Sequence, residues 1–217
     1  MQRSFAPEIL DDPNIPEEVL ARARRSLTAA HRFLGNTACL LRTLREDPQR
    51  VRSVLDIGCG GGGLLVEIRR QLGVEVIGVD IRPPAKADGL VPILPADAVR
   101  DPLPECDAAI SVMLAHHLTD ADLTCLIRNV GQYCRRLIML DPVRHPLPLA
   151  LFRIGMYPFL YSVNAKDGVR SVERSYTADE LKTLAARALE GTGATFSHSV
   201  APFYIRQMLD IRYRAQY

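Results

Sequence analysis

The feature that most constrains the fold is the segment VLDIGCGGGGLLVEI, residues 54–68. An apolar run ends at an aspartate, glycines fill positions 60–63, and apolar residues then return at helical spacing. Glycine adopts left-handed backbone conformations and lets a ligand approach the main chain closely. A buried strand, a glycine loop and a helix in this order predict the first βα unit of a parallel sheet, with a ligand at the loop.

The rest of the chain continues this alternation. Short apolar runs at 51–57, 74–79, 91–94, 108–113 and 137–140 are separated by helical patterns, which include 63–72 and 120–134. Such alternation predicts an α/β fold with right-handed crossovers. Pro92 weakens the third run as a strand because proline lacks an N–H. The alternating segments 194–201 and 203–213 predict an antiparallel hairpin at the sheet edge.

The chain length predicts a single domain covering residues 1–217. We divide it into an N-terminal arm and helical cap (1–48), a ligand-binding core (49–141), an insertion (142–174) and a C-terminal helix with a strand pair (175–217). Gly35 is expected to break the cap into two helices. Thr177 and Glu180 form a capping-box pattern that opens a helix reaching about residue 189.

Composition excludes several classes of protein. The net charge of +2 gives no general field for nucleic acid, so we expect no nucleic-acid partner. Five cysteines without a C-x-x-C spacing argue against a zinc site and a disulfide framework, and a reducing cytoplasm fits them. No stretch of 18 residues lacks both charge and proline, so stable membrane insertion is not expected. The sequence leaves the oligomeric state open.

The residues around the glycine loop discriminate between ligands. Gly58, Gly60 and Gly63 fit the dinucleotide spacing, and Asp80 stands where a ribose-binding acid is expected. Asp56, however, would repel a pyrophosphate at the strand end, whereas it would attract a cationic amino group. S-adenosylmethionine (SAM) carries an ammonium and a sulfonium and no phosphate. The sequence therefore favours SAM as the ligand. The alternative is a nicotinamide dinucleotide, bound by an oxidoreductase.

Three acids follow three successive strands and suit the parts of one adenosyl ligand. Asp56 would attract the amino acid end, and Asp80 would accept hydrogen bonds from both ribose hydroxyls. Asp97, after the third strand, would meet the adenine amino group. Carboxyl ends of parallel strands share one edge of the sheet, which brings these three side chains to one site.

On LDIGCGGGG (55–63), VIGVDI (76–81), PADA (95–98) and CDAAISVMLAHHL (106–118), the chain resembles the class I SAM-dependent methyltransferases. Weaker matches, such as DPVRHPLPLALFRI, resemble the small quinone-biosynthesis-like and type III polyketide-associated enzymes of that class. The resemblance implies a Rossmann-like α/β sheet of seven strands in the order 3-2-1-4-5-7-6, with the last strand antiparallel. It also implies that a set of residues contacts the cofactor: Asp56, Gly58, Cys59, Gly60, Gly62, Asp80, Ile81, Asp97, Ala98, Val112 and Met113.

The chain departs from the family pattern at two places. The crossover RPPAKADG after Asp80 is short and proline-bound, which weakens the expected contact of Ile81. The early helix has His31 where family members often have asparagine, so no role is carried over to His31. Cys59 is expected to be a small loop filler in the cofactor site, since no base accompanies it.

The acceptor side must come from parts outside the core, namely the early helices of residues 17–45 and the insertion 142–174, both of which are apolar in pattern. The insertion offers Leu149, Phe152, Met156, Phe159 and Tyr161, interrupted by Pro158, as an apolar wall for a small aromatic or alkyl acceptor.

We expect His117 or His145 to orient the acceptor or take its proton, because both follow strands at the ligand edge. A metal ion is not expected at the neighbouring pair His116 and His117, because adjacent histidines on a helix do not face each other. The resulting prediction is O-methylation of a phenolic, quinol or polyketide-type compound. C-methylation of a similar acceptor is the alternative.

Overall fold

The computed structural model describes residues 1–12, 14–84, 91–157 and 160–214. Seven strands form one sheet in the order β3-β2-β1-β4-β5-β7-β6, which confirms the order expected from the resemblance. The strands are β1 Ser53–Ile57, β2 Glu75–Asp80, β3 Ile93–Pro95, β4 Ala108–Val112, β5 Arg136–Asp141, β6 Thr195–Val200 and β7 Gln207–Arg212. β1 to β5 pair in parallel, whereas β7 is antiparallel to both β5 and β6.

Seven helices cover the sheet and its ligand edge. They are α1 Glu17–Phe33, α2 Asn36–Arg45, α3 Gly63–Leu72, α4 Asp120–Val130, α5 Pro146–Gly155, α6 Ser162–Arg174 and α7 Ala178–Leu189. The predicted break between α1 and α2 occurs at Gly35, which has a φ of 73°. The predicted capping box of α7 is also present, because Thr177 Oγ1 accepts from the Glu180 N–H and the Glu180 carboxylate accepts from the Thr177 N–H.

The core lies on both faces of the sheet because successive strand residues point to opposite sides. Leu55 and Ile57 of β1 pack on the face covered by α4 and α7. Val54 packs on the other face, beneath α2 and α3. All three residues are at most 1% exposed. This burial on two faces explains why the central strands appear in the sequence as continuous apolar runs.

Strand β3 is shorter and later than the predicted run 91–94. Pairing begins at Ile93, opposite Gly78, and ends at Pro95. Pro92 has no N–H to donate, although its carbonyl still accepts from the Gly78 N–H at 2.9 Å. Residues 85–90, which carry most of the proline-bound crossover, lie outside the described residues.

The insertion 142–174 contains helices α5 and α6, which pack on each other at the carboxyl edge of the sheet. Pro158 and Phe159, which the sequence placed in the apolar wall, lie outside the described residues. Among the described residues, no helix combines the length and apolar character needed to cross a bilayer.

Candidate functional site

The glycine loop joins β1 to α3 through three left-handed residues. Gly58, Gly60 and Gly62 have φ values of 72°, 54° and 82°. A side chain would be strained at each of them, and a Cβ on Gly62 would also overlap Val91. The loop is closed against β2, because the Gly58 N–H donates to the Val79 carbonyl at 2.8 Å.

Asp80, the last residue of β2, organises the loop. Its Oδ2 accepts from the Gly60 N–H and its Oδ1 from the Arg82 N–H, both at 2.8 Å. Each carboxylate oxygen can accept a further hydrogen bond. Asp80 is therefore fixed by the main chain and still able to bind two donors of a ligand.

Asp56 lies beneath the loop and is only 3% exposed. Burial, together with the nearby charge of Asp80, raises its pKa to about 8. The side chain is thus protonated at neutral pH in the protein alone. A cation placed next to it would favour the ionised form and draw off the proton.

A cavity of about 190 Å³, here called the loop cavity, opens at the glycine loop. Six of the predicted cofactor residues line it: Asp56, Gly58, Cys59, Gly60, Val112 and Met113. Arg24, Leu27 and His31 of α1 form the opposite wall. The sequence had placed this helix on the acceptor side and not in the cofactor site.

The other predicted cofactor residues lie outside the lining of the loop cavity. Gly62 faces Val91, and Asp80 reaches the loop through the Gly60 N–H. Ile81 is 71% exposed, whereas Ala98 is buried in the core. Asp97 accepts from the Val99 N–H and pairs with Arg100 at 2.7 Å, so its carboxylate is already engaged in its own turn.

Cys59 lines the loop cavity as a neutral thiol. Burial, followed by the charges of Asp56 and Asp80, raises its pKa well above the usual range. A Cβ on Gly78 would overlap the Cys59 sulfur, so the thiol packs closely over β2. This packing agrees with the expected loop filler and excludes a reactive thiolate.

A second cavity of about 170 Å³, here called the helical cavity, lies between α1, α5 and α6. Its walls are mostly apolar and include Phe152, Met156 and Leu160. Leu27, His31 and Met113 line both cavities. A ligand in one cavity would therefore touch the same three side chains as a ligand in the other.

One end of the helical cavity is polar and contains His116. Its Nδ1 lies 2.9 Å from Asp141 Oδ1, and its Nε2 lies 3.3 Å from Glu8 Oε1. All three residues are at least 93% buried. Burial by itself lowers the pKa of His116, but the carboxylates of Asp141 and Glu8 outweigh it and raise that pKa to about 9.

Two hydrogen-bond acceptors on this cavity have no partner. Asp141 Oδ2 and Asn164 Oδ1 are buried and accept no hydrogen bond from any residue that the structure describes. The Asn164 amide is oriented by its Nδ2, which donates to the Ala23 carbonyl at 2.9 Å. An unsatisfied buried acceptor costs roughly 1–3 kcal/mol. Both atoms would therefore favour a ligand that carries an O–H or N–H group.

His31, at the boundary of the two cavities, is held in one tautomer. Arg206 can only donate, so its contact of 3.3 Å identifies Oδ1 of Asn36 as the acceptor. The Asn36 Nδ2 then donates to His31 Nδ1 at 3.1 Å. Burial lowers the pKa of His31, so the ring is neutral at neutral pH. Its proton is on Nε2, which is a donor available to a ligand.

The two histidines predicted from the sequence, His117 and His145, lie beside the helical cavity and are not among the described residues that line it. His117 Nδ1 pairs with Asp11 at 3.2 Å, and its side chain is 27% exposed. His145 caps α5 by accepting from the Leu147 N–H at 3.1 Å, and its ring stacks on Tyr204. Among the described residues, the histidines that line the helical cavity are His31 and His116.

Sequence reasoning missed Glu8, His31, Asp141 and Asn164. Asp141 ends β5 and could have been found by the rule that selected Asp56, Asp80 and Asp97, namely an acid at a strand's carboxyl end. No local pattern marks Glu8, which belongs to an irregular arm, or Asn164, which lies in a helix without a motif.

Comparisons with known proteins agree with this architecture. The family described as "Methyltransferase domain" matches residues 28–188. No curated protein matches the chain by sequence.

Among solved structures, the plantazolicin methyltransferase BpumL, in complex with a monoazolic desmethylPZN analog and SAH, is 16% identical with a TM-score of 0.71, covering 94% of this chain and 92% of its own. The methyltransferase domain of bacterial CtHen1-C is 18% identical with a TM-score of 0.60. The match covers 83% of this chain and 97% of that domain. Human N-acetylserotonin methyltransferase in complex with SAM is 19% identical with a TM-score of 0.56, covering 99% of this chain and 63% of its own. At these identities the likeness concerns the fold.

Proposed function

The chain belongs to the methyltransferase domain family, and on that premise we propose that it transfers a methyl group from SAM to a small apolar acceptor, most simply to a phenolic, quinol or polyketide-type oxygen. SAM supplies a methyl group already activated by its sulfonium. The protein must bind both reactants, align them and exclude water. We also propose the subgroup that the sequence resembles, the quinone-biosynthesis-like and type III polyketide-associated enzymes.

The observation that carries this proposal is the shared wall of the two cavities. Leu27, His31 and Met113 line both the loop cavity and the helical cavity. A donor in the first and an acceptor in the second would meet at these three side chains. Group transfer between two bound molecules needs such contact, because the reacting atoms must approach to about 3–3.5 Å.

The loop cavity suits SAM better than a dinucleotide. Asp56 is buried next to the loop, where an ammonium would stabilise its ionised form, whereas a pyrophosphate would give it no compensating positive charge. Asp80 offers two oxygens to a ribose diol. In the proposed complex Asp56, Asp80 and the main chain of Gly58 to Gly60 hold the cofactor.

The helical cavity supports an acceptor that is apolar along its length and carries one donor group. Phe152, Met156 and Leu160 would pack on its carbon skeleton. Its hydroxyl would donate to one of the two unpartnered acceptors, Asp141 Oδ2 or Asn164 Oδ1. The Asp141 carboxylate lies next to His116 and would also be placed to take the hydroxyl proton as the methyl is transferred.

The histidines chosen from the sequence keep narrower roles in this proposal. His117 would act through Glu8, which lines the cavity, and His145 through Tyr204, which precedes the cavity residue Ile205. His31 is added as a donor that orients the acceptor from the cofactor side.

The proposal is tested by binding and by turnover. Calorimetry should detect SAM and SAH binding and no comparable NAD binding. Incubation with methyl-labelled SAM and a panel of phenols, quinols, resorcinols and carboxylic acids should label at least one acceptor, and NMR of the product distinguishes O- from C-methylation. Tight NAD binding without SAM binding would replace this proposal by the oxidoreductase alternative.

Cofactor affinity should depend on pH through Asp56. In the free protein the pKa of Asp56 is about 8, so the side chain is mostly protonated below that pH. The cationic end of SAM needs the ionised form. Below pH 8 binding must therefore release a proton, and the dissociation constant should fall by about tenfold per pH unit between pH 6 and 7.5. Calorimetry in buffers of different ionisation enthalpy measures both the affinity and the proton released.

The matched control is Asp56→Asn, which has no proton to release. It should bind SAM more weakly than the unchanged protein at pH 7.5, with little variation from pH 6 to 7.5. A flat affinity in the unchanged protein over the same interval would remove Asp56 from the cofactor site.

Phe152 should contribute to acceptor binding and not to cofactor binding. It lines the helical cavity and packs over Gly168 of α6, but it does not line the loop cavity. Phe152→Ala removes the ring, which is worth about 1.5–3 kcal/mol when buried, so the acceptor KM should rise by roughly 10- to 100-fold. Steady-state kinetics and a SAM titration measure the two effects separately.

Ile154→Ala provides the control on the same helix, since Ile154 is 78% exposed. It should leave both constants unchanged. An effect of Phe152→Ala on SAM affinity alone would contradict the assignment of the helical cavity to the acceptor.

A further inference from the structure

Three side chains from two distant parts of the sequence converge at the polar end of the helical cavity. One ligand atom from each of Glu8, His116 and His117 lies within 4.8 Å of the other two. Oε1 of Glu8 is 3.3 Å from His116 Nε2, and Oε2 is 3.8 Å from His117 Nε2. Ligands bound at about 2.1 Å to one tetrahedral ion lie about 3.4 Å apart, so only small movements separate this arrangement from a coordination shell.

The opposite nitrogen of each histidine is held by its own carboxylate. His116 Nδ1 lies 2.9 Å from Asp141 Oδ1, and His117 Nδ1 lies 3.2 Å from Asp11 Oδ1. Histidines that bind metal usually donate their second N–H to a carboxylate, which fixes the tautomer and raises ligand basicity. Here both rings direct Nδ1 to an aspartate and Nε2 to the same glutamate.

The remaining contacts leave the cluster incomplete without an additional group. His116 Nε2 is buried and has no aligned hydrogen-bond partner among the described residues, although Glu8 Oε1 lies 3.3 Å from it. Ser171 Oγ donates to Glu8 Oε1 at 2.8 Å and so fixes the carboxylate in place. The unpartnered nitrogen is an independent sign that something binds between these groups.

The local backbone removes the reason for which a metal was not expected. His116 and His117 belong to a single 3-10 turn, Ala115–His117, and their ring centroids are 4.2 Å apart. Both rings reach Glu8 because the N-terminal arm passes over this turn, an arrangement that adjacent positions on a regular α-helix would not give.

We propose that Glu8, His116 and His117 together bind one divalent transition-metal ion, with Asp141 and Asp11 orienting the two histidines. Two imidazoles and one carboxylate suit Zn²⁺, Mn²⁺, Fe²⁺ or Co²⁺ and suit Mg²⁺ and Ca²⁺ poorly, because the latter prefer all-oxygen sites. His117 is 27% exposed, which gives the ion a path from solvent.

The site would serve the methyl acceptor, and this part of the inference rests on the proposed function. Glu8 and His116 line the helical cavity, so an ion held by three protein ligands would present its open positions to the acceptor. A bound hydroxyl would become more acidic and be held in position for transfer. The alternative is that no ion binds and His116 is protonated, in which case the cluster is a network of ion pairs.

Metal binding can be tested without any acceptor. Chelator-treated full-length protein is titrated with Zn²⁺, Co²⁺, Mn²⁺ and Mg²⁺ by calorimetry, and Co²⁺ loading is followed by its visible absorption. We expect one Zn²⁺ or Co²⁺ per chain, at least 100-fold weaker Mg²⁺ binding, and a Co²⁺ spectrum typical of nitrogen and oxygen ligands. Titration with SAM on the same chelator-treated protein reports the proposed function separately.

Variants assign the ion to this cluster. Glu8→Gln and His117→Ala should each weaken Zn²⁺ binding by at least 100-fold, and Asp11→Asn by roughly 10- to 100-fold through His117. His198→Ala, in β6, removes a histidine elsewhere and should leave Zn²⁺ binding unchanged. Circular dichroism and SAM titration verify that each variant is folded.

Absence of stoichiometric Zn²⁺ or Co²⁺ binding in the unchanged protein would overturn the proposal in favour of a protonated His116. Binding that survives in both folded ligand variants would overturn it as well, because the ion would then lie elsewhere. SAM binding that persists in either case leaves the methyltransferase proposal intact.

Discussion

Replacing Asp80 with alanine is expected to weaken SAM binding by at least about 100-fold. In the proposed complex the carboxylate accepts two hydrogen bonds from the ribose diol, and each bond to a charged group is worth about 1.5–3 kcal/mol. Even the lower value, counted twice, corresponds to about 100-fold in the dissociation constant. The substitution also releases the Gly60 and Arg82 N–H groups, which Asp80 holds at 2.8 Å. Calorimetric titration with SAM measures the loss.

Two further variants separate binding from folding. Asp80→Asn keeps one acceptor oxygen and should lose less affinity than Asp80→Ala. Asp179→Ala removes an exposed acid at the start of α7 and should bind SAM normally. If Asp80→Ala melts at the same temperature as the unchanged protein and binds SAM equally well, Asp80 does not contact the cofactor.

Turnover efficiency is expected to rise with the alkyl length of the acceptor. Each methylene transferred from water to the apolar wall around Phe152 and Met156 contributes about 0.8 kcal/mol, which is about fourfold in kcat/KM. Four added methylenes therefore predict an increase of roughly 200-fold before the cavity is filled. A homologous series of alkyl-substituted phenols or resorcinols, assayed with labelled SAM, measures the slope.

The same series contains its own control. SAM affinity should not change with acceptor length, because the loop cavity shares only Leu27, His31 and Met113 with the helical cavity among the residues that the structure describes. Small charged acceptors such as glycine or guanidinoacetate should be poor substrates. If they prove to be the best ones, helices α5 and α6 do not form the acceptor wall.

The two cavities differ in how far the sequence could predict them. One side of the loop cavity is built from a continuous segment, so Asp56, Gly58 and Gly60 could be selected by their order along β1 and the loop. Parallel strands bring their carboxyl ends to one edge, which is why Asp80 could be added from the next strand. Val112 and Met113 were predicted to contact the cofactor only because of the family resemblance, since their own side chains give no such signal.

The helical cavity could be predicted only in its apolar part. Phe152 and Met156 were selected because large apolar side chains recur in an insertion that the sheet does not need. His31 was set aside, since nothing in α1 indicates that Asn36 and Arg206 hold its ring at the boundary of both cavities. That role depends on a contact between α2 and a residue 170 positions later in the chain.

By itself the sequence determined the elements and the cofactor edge of this protein. Hydrophobic periodicity, the left-handed glycines and the acids at strand ends are local signals, and local backbone physics turns them into β1, the loop and α3. Only the tertiary structure decided which groups meet at the polar end of the helical cavity. Glu8, His116 and Asp141 are brought together because the N-terminal arm packs on α6 and reaches the turn that carries His116, which buries ionisable groups that are stable there only when paired. Burial and pairing of this kind depend on the whole packed fold, and no spacing along the chain encodes them.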